Sequence, residues 1–309
     1  MLRCCIEGIA LWSPSLPGWA LAAPALRATE AETDTGADLS AGPVQSQAPA
    51  MAARPAPALL AANERRRAPD TVLVALEVAS QALLHAGFSA ADSSEDSAED
   101  GTSPHCTSPH GLASVFVSSH GDLPITDALC ATLASSPRLL SPTRFHHSVH
   151  NAASGYWAIG SGSRGPSTAL SAHEHSFAIG WLEAASLCVA EQRPVLLVAY
   201  DTSACGGLAS VNRSRGLLGV ALLVAPAAGP RTRWQVQAAL CAATAPAQTL
   251  RSAAARGLAD NAMAQALPLF EALAAGNSCT LAMAASAGTR LELALTPMPA
   301  ITGAGAPSP

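Results

Sequence analysis

Residues 150–183 read HNAASGYWAIGSGSRGPSTALSAHEHSFAIGWLE, and this stretch decides the fold. Positions 151–160 are mostly small residues around Tyr156 and Trp157 and predict a short helix. Glycines at 160, 162 and 165, followed by Pro166, stop it, because proline cannot continue a helix and glycine turns the chain cheaply. Thr168 to Ser171 then predicts a short strand, and positions 174–191 a second helix. Gly160-Ser161-Gly162-Ser163-Arg164-Gly165 satisfies a GxGxxG spacing. A dinucleotide site needs a strand before that run and a helix after it, and here the order is reversed, which argues against nucleotide binding.

Working outward, Arg3 to Trp12 reads as a strand. The run TVLVALEVASQALLHAG after Asp70 is a helix in which Asp70 is a plausible N-cap. Val72, Leu76, Ala79 and Leu83 share one face, and Gly87 is a stop. Residues 113–119 (ASVFVSS) predict a strand and 124–134 a helix, with a Ser/Pro loop reaching Phe145. Positions 194–200 form a buried strand. Residues 216–225 and 234–240 are expected to pair as a hairpin across Gly229-Pro230. Residues 267–273 predict a helix, and 278–284 with 290–295 two closing strands. Alternating strands and helices predict an α/β fold, a mixed sheet covered by helices. Two stretches, 27–57 and 89–110, lack apolar periodicity and are expected to be disordered insertions in one domain spanning 1–309.

With 49% hydrophobic and 13% charged residues, the chain suits a buried core better than a disordered segment. A net charge of −5 provides no basic footprint for nucleic acid, and Arg65-Arg66-Arg67 reads as a solvated run before a helix. Eight scattered cysteines without a CxxC pair fit reduced thiols rather than a disulfide framework. Glu7 and Gly8 interrupt any secretory apolar region, and the strongest apolar run, 194–200, is strand-sized. A cytoplasmic location without a membrane span is expected.

These residues carry a resemblance. Ser163-Arg164-Gly165-Pro166-Ser167 resembles the segment that introduces the catalytic strand of β-ketoacyl synthases, and 151–155 (NAASG) resembles the small-residue helix at that family's dimer interface. PVLLVAYDTS and GLLGVALLVAP, further on, resemble its next strands in the right order. The resemblance runs from the N-terminus to about residue 240, and positions 245–309 match only loosely. It implies a thiolase-like layered fold, mainly the N-terminal half of a ketosynthase. In that family a cysteine seven residues beyond the Gly-Pro-Ser serine is the nucleophile, and here that position is Glu174. A carboxylate cannot form the thioester that a thiolate forms. The family's two later histidines are also missing, since no histidine follows residue 240. The resemblance therefore implies a non-catalytic, chain-length-factor-like subunit of fatty-acid, polyketide or aryl-polyene synthesis. It would pair with a catalytic ketosynthase as a heterodimer, meet acyl carrier protein indirectly and need no cofactor. His173, Glu174 and His175 would line a vestigial pocket. Asn151, Tyr156, Trp157, Thr168, Ala169, Leu170, Ser171 and Phe177 would form the interface or tunnel wall.

Other readings compete. His173 and His175 would share a face on a strand but point apart on a helix, and no third ligand has a fixed spacing, so no metal site is expected. Asp201-Thr202-Ser203-Ala204-Cys205-Gly206-Gly207 echoes a nucleophile signature, but no helix follows to lower the thiol pKa. An independent acyltransferase or thioesterase would use Cys205 or Ser171 with His146, His147 or His150. A third reading is a purely structural interaction module. The aromatics Phe145, Tyr156, Trp157, Phe177 and Trp181 concentrate around the motif in a chain only 4% aromatic, which predicts a large buried contact surface there.

Overall fold

The computed structural model describes residues 1–28, 54–88, 111–242 and 248–299. The expected insertion 89–110 and most of 27–57 lie outside the described residues. At the ends of the latter, Arg27 closes a helix and Pro55 and Pro57 are buried.

The strands are β1 (Leu2–Ser13), β2 (Leu16–Pro17), β3 (Ala113–Val117), β4 (Ser167–Leu170), β5 (Val195–Asp201), β6 (Leu218–Ala225), β7 (Trp234–Ala242), β8 (Cys279–Ala284) and β9 (Thr289–Pro297). They form one mixed sheet in the order β4-β3-β5-β6-β1-β7-β9-β8, with β2 folded back on β1. β3 runs parallel to both β4 and β5, and the remaining pairs are antiparallel. The expected hairpin between 216–225 and 234–240 does not form. β1 inserts between β6 and β7 and pairs antiparallel with each. Both neighbours are apolar on two faces or one, so local pattern alone could not tell which strand lay beside which.

The helices are α1 (Trp19–Arg27), α2 (Ala62–Arg67), α3 (Asp70–His85), α4 (Leu123–Ser135), α5 (Pro142–Ser148), α6 (Ala152–Ser161), α7 (Ser176–Glu191), α8 (Ala253–Arg256) and α9 (Leu267–Ala275). α1, α7, α8 and α9 cover one face of the sheet, and α3 and α6 the other. β5 and β6 are buried along their whole length because both faces are covered. α3 is buried on more than the expected face, since it lies between the sheet and α6. Asp70 is its first residue rather than its cap, and pairs instead with Arg54. Arg65-Arg66-Arg67 precedes α3 as expected and itself closes a short helix, α2. The Ser/Pro loop before Phe145 contains a 3-10 turn and α5, which Ser141 caps by accepting from Arg144 N. α1 carries Pro24 inside it and is held by α9, where the Trp19 and Phe270 rings meet edge to face at 5.9 Å. No helix among the described residues is long and apolar enough to cross a membrane.

Candidate functional site at the carboxyl ends of the parallel strands

Because β3, β4 and β5 are parallel, their carboxyl ends lie at one edge of the sheet, where open α/β sheets place their sites. β3 continues into Ser118, Ser119 and His120, β4 into Ser171, and β5 ends at Asp201. Between β4 and α7 the chain turns through a 3-10 turn, His173–His175. The helix expected from Glu174 begins two residues later, at Ser176. His173 has φ 52, a left-handed conformation that cannot extend a right-handed helix.

Side-chain hydroxyls hold this elbow. Ser119 Oγ donates to the His173 carbonyl at 2.8 Å, and Ser176 Oγ donates to the same oxygen at 2.6 Å. Ser176 Oγ also accepts from Ala172 N at 2.9 Å, while Ser171 Oγ donates to Ser119 O at 2.9 Å. α7 can lie close above β3 because position 180 is glycine. A Cβ there would overlap the Val117 side chain. One early α7 donor, Ala178 N, reaches Gln265 Oε1 at 3.0 Å, and Gln265 Nε2 donates to Ala284 O at 2.8 Å.

Beneath the elbow lies Asp201, 1% exposed. Ser118 Oγ donates to it at 2.9 Å and Ser119 N at 2.8 Å. Burial pushes its carboxyl up to about 7, against the opposing pull of these donors and of His120 N. His150 Nε2 donates to Ser118 O at 2.9 Å. The His120 and His173 rings meet edge to face at 5.4 Å, and burial, then His173, lowers the His120 pKa. From the far side, Asn261 Nδ2 donates to the carbonyls of Asp201, Arg215 and Gly216, at 3.4, 3.2 and 2.9 Å. Ser118, Ser119, Asn261 and Gln265 were not legible as site residues. The serines read only as the end of a strand, and Asn261 and Gln265 sit in the loosely matching C-terminal part.

Glu174 projects from the elbow with 74% of its side chain exposed, 3.5 Å from His175 Nε2. His175 Nδ1 is buried without a hydrogen-bond partner. Among the described residues no three His, Cys, Asp or Glu converge in a way that could hold a metal ion. Ser171 gives its hydroxyl to a backbone carbonyl. His147 Nε2 lies 3.0 Å from Tyr156 OH, and the His146 ring packs beside both. Cys205 is half-buried before a 3-10 turn (Gly206–Ser210), after which the chain returns to β6. Gly206 lies against the Asp127 carboxylate of α4.

The predicted interface residues separate into two groups. Trp157, 2% exposed, is in the core beneath α3, and Phe177 and Trp181 are in the opposite core. Tyr156 is half-buried, Asn151 and Ser171 are exposed, and Thr168, Ala169 and Leu170 lie half-buried on the outermost strand. Beside them stand Phe145, 65% exposed, Val149 and Ile159, 86% exposed.

A profile described as β-ketoacyl synthase, N-terminal domain, matches residues 102–287, more than half of the chain. No curated protein matches. Among solved structures, a chain of the complex between the ketosynthase ApeO and its chain length factor ApeC from Xenorhabdus doucetiae is 19% identical. The match covers 95% of this chain and 100% of that one, with a TM-score of 0.65. The ishigamide ketosynthase/chain length factor is 17% identical over 96% of this chain and 99% of that one, with a TM-score of 0.65. A β-ketoacyl synthase from Burkholderia phymatum is 12% identical over 97% and 100%, with a TM-score of 0.62. These similarities agree with the layered fold described above, and the profile match places the chain in the β-ketoacyl synthase N-terminal-domain family.

Proposed function

We propose that this chain is a non-catalytic, chain-length-factor-like subunit that pairs with an active β-ketoacyl synthase in fatty-acid, polyketide or aryl-polyene synthesis. The observation that carries the reading is the elbow. The turn between strand and helix is built and braced, yet Glu174 stands where the family resemblance puts a thiol. A carboxylate there can accept hydrogen bonds, but it cannot carry an acyl chain as a thioester.

The surface beside the elbow supports pairing. β4 is the outermost strand of the sheet, and among the described residues no strand pairs with its outer edge. Next to it, Phe145 of α5, Val149 just after it and Ile159 of α6 are exposed, apolar side chains that gain by being covered. Tyr156 offers its edge on the same side, while Trp157 supports the wall from within. The chain's similarity to members of ketosynthase/chain length factor complexes, over nearly their full length, favours a ketosynthase as the occupant. Acyl carrier protein would then meet this chain through that partner, in the cytoplasm.

Co-expression with a ketosynthase encoded beside it tests the proposal. The two chains should co-purify, and Phe145→Asp with Ile159→Asp should reduce recovery of the pair about tenfold or more, the scale of exposing a central apolar contact. Tyr156→Ala should change product length while leaving the pair intact. A stable pair with unchanged product length would favour a structural module. Acyl transfer by the isolated chain that is lost in Cys205→Ser would overturn the reading.

A further inference from the structure

At the edge of the sheet away from the elbow, the start of β1 lies beside β7 and β9. β1 runs in the same direction as β5, because both are antiparallel to β6, so its first residues are far from the carboxyl ends of the parallel strands. Arg3 pairs with Gln237 and Cys5 with Gln235, and Gln235 pairs on its other side with Thr296 of β9. Directly opposed residues of antiparallel strands stand on the same face. Along β7, Trp234, Val236 and Ala238 enter the core, while Gln235 and Gln237 alternate to the other side and are exposed. Arg3, Gln235, Gln237 and Thr296 therefore share the face turned away from α1, α7, α8 and α9.

A cavity of about 250 Å³ opens among these four side chains, with Ala227 and Ala228 of the turn after β6 as a small-residue wall. Its lining carries one charge, the guanidinium of Arg3, and no carboxylate. Among the described residues nothing hydrogen-bonds or ion-pairs with Arg3, and the side chains of Gln235, Gln237 and Thr296 are likewise without protein partners. Carboxylates farther along β1 and β9 are already taken, Glu7 by Arg231 at 3.3 Å and Glu292 by Arg290 at 3.4 Å. We propose that this cavity is a binding site for a small oxyanion, a carboxylate or phosphate group, held by Arg3 with Gln235, Gln237 and Thr296 around it.

The chemistry of the lining selects the ligand. Arginine presents its N–H groups in a planar fork that meets two oxygens of a carboxylate or a phosphate at once. The carboxamides of Gln235 and Gln237 and the Thr296 hydroxyl supply further donors for the oxygens left over. The volume is below the roughly 300–1,000 Å³ of pockets that take drug-sized ligands, so a small anion or the anionic end of a larger molecule fits. Half-enclosing walls keep part of the water away, which makes the attraction between guanidinium and anion stronger than in open solvent. None of the lining residues belongs to β4, α5, α6 or the elbow, so the site stands apart from pairing with a ketosynthase and its test is separate.

Ligand-observed NMR on the full chain at constant ionic strength tests the site, with inorganic phosphate and acetate as the two probes. At least one probe should bind saturably. Arg3→Ala should weaken that binding about tenfold or more, the scale of losing hydrogen bonds to a charged group, and Gln237→Ala about threefold to fivefold. Thr296→Trp should abolish it by filling the cavity while keeping every charge. All three positions are exposed strand residues, and unchanged thermal unfolding confirms that each variant folds. Arg138→Ala, which removes an exposed arginine outside the cavity, should bind as the wild type does. Saturation by phosphate alone assigns the site to a phosphate group, and saturation by acetate alone assigns it to a carboxylate. No saturable binding of either probe, or binding that survives both Arg3→Ala and Thr296→Trp, overturns the proposal.

Discussion

The elbow at 172–176 and the loop at 202–216 both carry nucleophile-like sequences, and they are built differently. The elbow leads into a 16-residue helix and is fastened from three directions by Ser119, Ser176 and Gln265. The loop leads into a short 3-10 turn and returns to the sheet, clamped by Asn261 Nδ2, which donates to the Arg215 carbonyl, and by Ala262 N, which donates to Ser214 Oγ. Only the first places a side chain ahead of a long helix at the carboxyl end of parallel strands, where a helix terminus can act on a reacting group. Of the two, the elbow alone has a strand, a braced turn and a long helix in succession. The cysteine-bearing sequence lies where no such scaffold exists.

The largest way to break this comparison is through glycine. Gly180→Val would drive a side chain into Val117 and lift α7 from β3, and should cost about 3 kcal/mol or more in denaturant unfolding. Gly207→Ala, with open space around its Cβ, should change stability by less than about 0.5 kcal/mol. Equal effects would mean that the elbow is no better packed than the loop.

Gln265→Ala should cost about 1 kcal/mol by freeing Ala178 N, with faster exchange at the start of α7 and none in the 202–216 loop. Thiol labelling at pH 7.5 sharpens the contrast further. Among the cysteines of the described residues Cys130 is exposed and should react first, with half-buried Cys205 no faster. Burial pushes the Cys4 thiol up to about 12 and raises Cys188 as well, so these two should label only as the chain unfolds. A Cys205 that outpaces Cys130 would restore the acyltransferase reading. Smallest of all, Glu174→Gln should leave stability within about 0.5 kcal/mol, since its side chain is mostly in water. A larger loss would show that the elbow depends on that carboxylate.

The elements around Gly165-Pro166-Ser167 follow from local sequence alone. Small residues, a proline stop and apolar periodicity are local signals, and they place α6, β4 and most of α7 within a residue or two. They set Glu174 at the start of that helix, and the structure moves it into the 3-10 turn just before α7. The sequence could not show which strands are neighbours. β1 separates β6 from β7 through contacts more than two hundred residues apart, as in the pairing of Cys4 with Val236. Nor could it show that Trp157 and Phe177 face inward while Phe145 and Ile159 face out, because an aromatic or aliphatic residue suits core and interface alike. Asp201, Ser119 and the pair Asn261 and Gln265 come together around the elbow from three separate segments. Each is an ordinary polar residue in its own stretch, and only the burial and shared hydrogen bonds of the folded chain give it a role.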